Sequence, residues 1–167
     1  MSRKFTLLSL GFLSFLLILF IMGCFLISYS TPLKSYGMSN NDEHTTIYFE
    51  ITNEGRSALK LMEVKVNDNL EPSHVELGIS YNGRLVTAGF ENEKRTKLVG
   101  INEELIHPEL LRDQTLALIQ DDENQIPIHY GIRIINNKTI QNVTIKYKYY
   151  GMTKVANFEL EPSLGRY

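Results

Sequence analysis

The sequence predicts an all-β fold, an antiparallel β-sandwich, standing after one N-terminal transmembrane helix. Residues 5–29 carry no charged side chain and are rich in Phe, Leu, Ile and Met. Beyond residue 45, apolar side chains recur with a period of two, the mark of half-buried strands. Clusters of Asn, Gly, Asp and Ser interrupt that alternation at spacings near 10 residues, as in sandwiches and barrels.

The apolar run comes first. As a helix its 25 residues extend about 37 Å at about 1.5 Å per residue, enough to cross a hydrocarbon core of about 30 Å. Arg3 and Lys4 precede the run and Lys34 follows it. The positive-inside bias then keeps the N-terminus cytosolic and places the larger part outside. Tyr29 stands where an interfacial aromatic anchors the outer end. The predicted organisation is a cytosolic end at 1–4, a transmembrane helix at 5–29, a juxtamembrane linker at 30–44, an extracytoplasmic β-sandwich at 45–162 and a tail at 163–167. Ser30-Thr31-Pro32 ends the helix, and the polar stretch 35–43 with Gly37 reads as linker.

The single cysteine offers an alternative anchor. Ile21-Met22-Gly23-Cys24 resembles the lipobox of bacterial lipoproteins, with an aliphatic residue three places before the cysteine and a small one just before it. That resemblance implies cleavage before Cys24 and acylation of its sulfur, which would make the chain a ligand-binding lipoprotein. Met22 departs from the small or β-branched residue the pattern favours. A cleavable signal has an apolar core of about 7–15 residues, whereas this run exceeds that before Cys24 and continues through Phe25-Leu26-Ile27. An uncleaved span accounts for both sides of Cys24. The stretch "RKFTLLSLG" resembles the start of a type IV pilin, but Lys4 replaces the glycine before Phe5 and Ser9 stands where a glutamate belongs.

In the larger part, Ile47, Phe49 and Ile51 alternate with Tyr48, Glu50 and Thr52, and Asn53-Glu54-Gly55-Arg56 follows as a turn in which glycine supplies positive φ. In the next strand, residues 58–66, Leu59 and Leu61 share one face while Met62, Val64 and Val66 share the other. That change of phase implies a β-bulge near Leu61 or a strand covered on both faces. Val75, Leu77 and Ile79 alternate again, and Tyr81-Asn82-Gly83-Arg84 predicts a hairpin returning along residues 85–90. A short strand at 97–101 and one helical turn opening at Pro108 come next. Then come strands at 115–120 and 129–135, a turn at Asn136-Asn137-Lys138, and a closing pair either side of Gly151.

The "ITNEG" turn between early strands and the closing "NVTIKYKYYG" hairpin resemble an immunoglobulin-like or fibronectin-like sandwich at fold level. A true immunoglobulin domain is not supported, because the chain has no tryptophan and no cysteine beyond Cys24.

The functional signals are sparse. Beyond Arg3 and Lys4, 15 basic residues stand against 19 acidic ones, a net charge of −4 that argues against nucleic acid as a partner. His44, His74, His107 and His129 form no local metal pair, and Asp121-Asp122-Glu123-Asn124 lacks the spaced pattern of a calcium loop. No nucleophile elbow, Ser-x-x-Lys or His-Glu-x-x-His occurs, and Glu103-Glu104 has no evident partner. No catalytic residue, metal or cofactor is therefore assigned. A membrane-bound enzyme remains as an alternative, with a pocket drawn from the loops near His107 and Asp121. Asn137-Lys138-Thr139 and Asn142-Val143-Thr144 match the glycosylation triplet. The most suggestive binding feature is Lys146, Lys148 and Tyr150, because cations beside rings suit an anionic or protein partner. Tyr147 and Tyr149 share the parity of Val143 and Ile145 and are expected in the core, which makes the lysines solvent-face residues. The expected role is a membrane-anchored, non-catalytic binding or accessory domain. Its partners are the membrane and another envelope or membrane protein, met along an exposed strand edge.

Overall fold

The computed structural model describes residues 3–160, with side chains from Gly11 onward. The expected tail at 163–167, and Met1 and Ser2 of the cytosolic end, lie outside the described residues. The chain forms two compact units that divide after Ser30.

The first unit is helix α1, Arg3–Tyr29. Mean hydropathy over Gly11–Tyr29 is 2.5, and the helix is long and apolar enough to cross a membrane. Within it Ser14 turns back onto the backbone and donates to the Gly11 carbonyl at 2.9 Å. The helix runs unbroken through Gly23 and Cys24.

The second unit begins at Thr31. Among the described residues it holds eight strands, β1 Leu33–Asn40, β2 Thr46–Asn53, β3 Leu59–Val66, β4 His74–Ser80, β5 Thr96–Val99, β6 His129–Ile135, β7 Asn142–Tyr149 and β8 Met152–Glu159, with helix α2, Arg112–Gln120, between β5 and β6. They form a five-stranded sheet in the order β1-β2-β6-β4-β5 and a three-stranded sheet in the order β3-β7-β8. Every pairing is antiparallel. The result is sandwich-like. Ile47, Ile51, Leu77, Ile79, Ile132 and Ile134 of the large sheet are buried, as are Leu59, Leu61, Val64, Val143, Ile145 and Tyr147 of the small one. Phe49 and Phe158 join the sheets with ring centroids 5.6 Å apart.

Period two marks β2, β4, β6, β7 and β8 correctly, and the phase change in β3 is a bulge between Leu61 and Glu63. The bulge exposes Met62 and returns Val64 and Val66 to the face of Leu59 and Leu61.

Five expectations are corrected. The predicted linker contains β1, an edge strand whose polar, glycine-bearing sequence hides its pairing; Leu33 is its one buried residue. The return along 85–90 is no strand. Its Val86 and Phe90 instead bury against Tyr48 on the outer face of the large sheet, and β4 pairs with β5. Residues 115–120 are helical. Their Leu, Ala and Gln favour helix, and the Gln114 side chain accepts from the Leu111 N–H at 3.2 Å to cap the first turn. Pro108 starts no helical turn, because the segment is held extended by Glu109 N–H donating to the Asn53 carbonyl at 2.9 Å. Gly55 is required for space rather than positive φ: a Cβ there would lie 2.9 Å from the Pro32 Cβ.

Candidate functional site

Three surfaces are candidates, and each follows from how its strands alternate.

Lys146 and Lys148 project from the outer face of β7, while Tyr147 and Tyr149 point into the core. Lys146 Nζ lies 3.9 Å from Glu63 Oε2 on β3. Lys65 joins the same carboxylate at 3.1 Å and also meets Glu71 at 3.0 Å, so two lysines stand against two carboxylates and this side of the face is neutralised. Lys148 stands opposite Lys60, a like-charge cross-strand pair. Tyr150 occupies the β7–β8 turn at φ 48° and stacks edge-on against Tyr149 at 4.7 Å. The face is thus a mixed, solvated surface with one lysine pair at its end. Cys24, the alternative lipid site, lies exposed on α1.

The second surface is a cleft of about 130 Å³ that folding assembles from residues far apart in sequence, among them Tyr36, Glu50, His107, Glu109, His129 and Tyr130. Glu50 is brought there by β2 and His129 by β6; their Oε1 and Nδ1 are 3.9 Å apart. Tyr130 donates no charge to it: burial pushes its phenol up to about 12, and its oxygen accepts the His107 N–H at 3.3 Å. Tyr36 donates to Glu54, and that hydrogen bond raises the Tyr36 phenol above its ordinary value. Small-molecule pockets usually exceed roughly 300 Å³, so the cleft is small for a substrate. Among the described residues no group of three or more His, Cys, Asp or Glu is placed to hold a metal. The acidic loop works as a structural latch. The Asp121 carbonyl accepts from Arg95 at 2.7 Å, and Asn124 donates to the Tyr81 carbonyl at 3.0 Å.

The third surface is the set of sheet edges. β1 carries an irregularity between Lys34 and Gly37, β3 carries its bulge, and β5 is four residues long. Such features discourage pairing with other chains. β8 differs. It pairs with β7 through eight unbroken register positions, and its other side has no strand neighbour among the described residues. Tyr149 and Met152 flank a two-residue turn, so Met152, Lys154, Ala156 and Phe158 exchange bonds with β7. The backbone groups of Thr153, Val155, Asn157 and Glu159 therefore point outward. Sequence alternation located β8 but could not say that it ends a sheet.

No family model matches the chain, and comparison with curated proteins and with solved structures finds no match.

Proposed function

We propose that this chain is a single-pass membrane protein, with α1 as its span and its N-terminus in the cytosol. Its β domain works outside as a non-catalytic binding module, and it recognises an extended segment of another envelope or membrane protein along β8. One observation carries this reading: β8 is the long, regular edge, with four outward-facing residues whose backbone donors and acceptors meet no strand among the described residues and can extend the sheet. The side chains agree with it. Val155, 56% exposed, offers an apolar contact on the outer face. Lys154 is half-buried on the inner face, where an inward-pointing lysine disfavours indiscriminate edge pairing. The asymmetry of Arg3 and Lys4 over Lys34 supports the orientation.

The test is capture from detergent-solubilised source membranes with the full chain and with Asn157→Pro, which removes an outward N–H without touching the β7 ladder. A partner held by the unmodified chain and lost from the variant, at an unchanged unfolding midpoint, supports the reading. Equal capture by both overturns it.

A further inference from the structure

The two ends of the β domain differ in what their loops expose. β1 starts beside the end of β2, with Leu33 opposite Asn53. At that same end β3 starts and β7 stops, with Leu59 opposite Tyr149. The Pro32 carbonyl accepts from Glu54, and the Tyr149 hydroxyl accepts from Arg56, so the chain enters the domain there. The loops of this end present Leu105, Leu111, Leu116, Ile126 and Tyr150 to solvent, Leu111 being 72% exposed. Helix α2, which carries Leu116, has no buried residue at all. The loops of the opposite end, residues 41–45, 67–73 and 136–141, are rich in Asn, Asp and Glu, and Leu70 is their one large exposed apolar side chain among the described residues.

Ser30, Thr31 and Pro32 alone separate α1 from β1. Three extended residues reach about 10 Å, so the chain that leaves α1 enters β1 within that length. We propose that the Leu111 end of the domain rests on the lipid interface, with Leu111, Leu116 and Tyr150 entering the headgroup region. Leucine and tyrosine suit that layer, the first by apolar area and the second by a ring with a polar tip. Around Leu111 and Leu116, Glu109, Asp113 and the acidic loop at 121–123 outnumber Arg112, while the Lys60–Lys148 pair stands near Tyr150. At Leu111 the carboxylates favour a zwitterionic over an anionic lipid surface. Lipid contact at this end rests on α1 spanning a bilayer.

The chain has no tryptophan, so a single introduced one reports its own surroundings. Full-length Leu111→Trp, Leu70→Trp and Phe20→Trp, each in phosphatidylcholine nanodiscs with and without brominated acyl chains, separate the questions. Tyr150→Trp, in a turn that already holds a ring, is a second probe should Leu111→Trp fold poorly. Loss of emission in brominated lipid is expected for Phe20→Trp and for the Leu111 and Tyr150 variants, but not for Leu70→Trp. The loss at Leu111 should shrink when anionic lipid is added. Quenching at Phe20 with none at Leu111 or Tyr150 overturns the lipid contact and leaves the span standing, with the patch then a protein surface. No quenching at Phe20 removes the span and the contact together.

Discussion

Gly78 and Gly131 face each other across β4 and β6, and Val86 sits in the space their missing side chains leave. A Cβ on Gly131 would also meet the Phe49 carbonyl oxygen at 2.7 Å, a backbone atom that cannot swing away. Gly131→Ala is expected to cost about 1–3 kcal/mol as overpacking, read as a lowered denaturant midpoint. On the same face Arg133 Nε donates to Glu76 at 2.8 Å, and His74 Nε2 lies 3.3 Å from that carboxylate. Burial pulls the Glu76 carboxyl upward, but the Arg133 and His74 contacts outweigh it and hold the carboxyl below its ordinary value. A depressed folded-state value means stability that is present above the ordinary glutamate range and is lost as pH falls through the folded one. Glu76→Gln should therefore cost about 1–2 kcal/mol at neutral pH and flatten the acid limb of a stability-against-pH curve, measured by denaturation from pH 7 to 3.

At the scale of elements, the β7–β8 turn is built from Tyr150 at φ 48° and Gly151 at φ 76°. Two left-handed residues in a two-residue hairpin are the primed geometry, in which Asn-Gly is favoured. Tyr150→Asn should raise stability by about 0.5–1 kcal/mol through this backbone preference, seen as a higher thermal midpoint. The elements that were legible in the sequence share one property: their partners are supplied by the sheet and their alternation is complete, as in β6 and β7. The bulge in β3 was legible because Val64 and Val66 fall out of phase with Leu59 and Leu61 in sequence yet are as apolar. β1 was hidden because an edge strand buries one side and needs few apolar residues; Leu33 alone betrays it. Helix α2 was hidden for the opposite reason. It has no buried residue, so no helical stripe forms, and Leu116-Ala117-Leu118-Ile119 is a short apolar run between polar residues, which fits a strand as readily as a helix.

At the scale of the whole chain, α1 predicts integral behaviour. Washing membranes with high salt should leave the protein in the pellet, and its intact mass should include the residues before Cys24 without added lipid; loss of residues 1–23 with added acyl chains would replace the span with a lipid anchor, and release by salt would overturn insertion by either route. Sheet order and the cleft that gathers Glu50, His107 and His129 come from long-range pairing, which residue spacing does not encode. The loop between β4 and β5 also looks different once its seat is known. Val86 is keyed into the slot above Gly78 and Gly131, and Arg95 holds the far end by donating to the Tyr81 carbonyl at 2.9 Å. A stretch that resembles a long, pliable connection is pinned at both points. To a protease, or to a tag spliced in by design, it offers short accessible windows around Arg84 and Glu91 rather than one open strand, and chain cut at either would stay clamped in place.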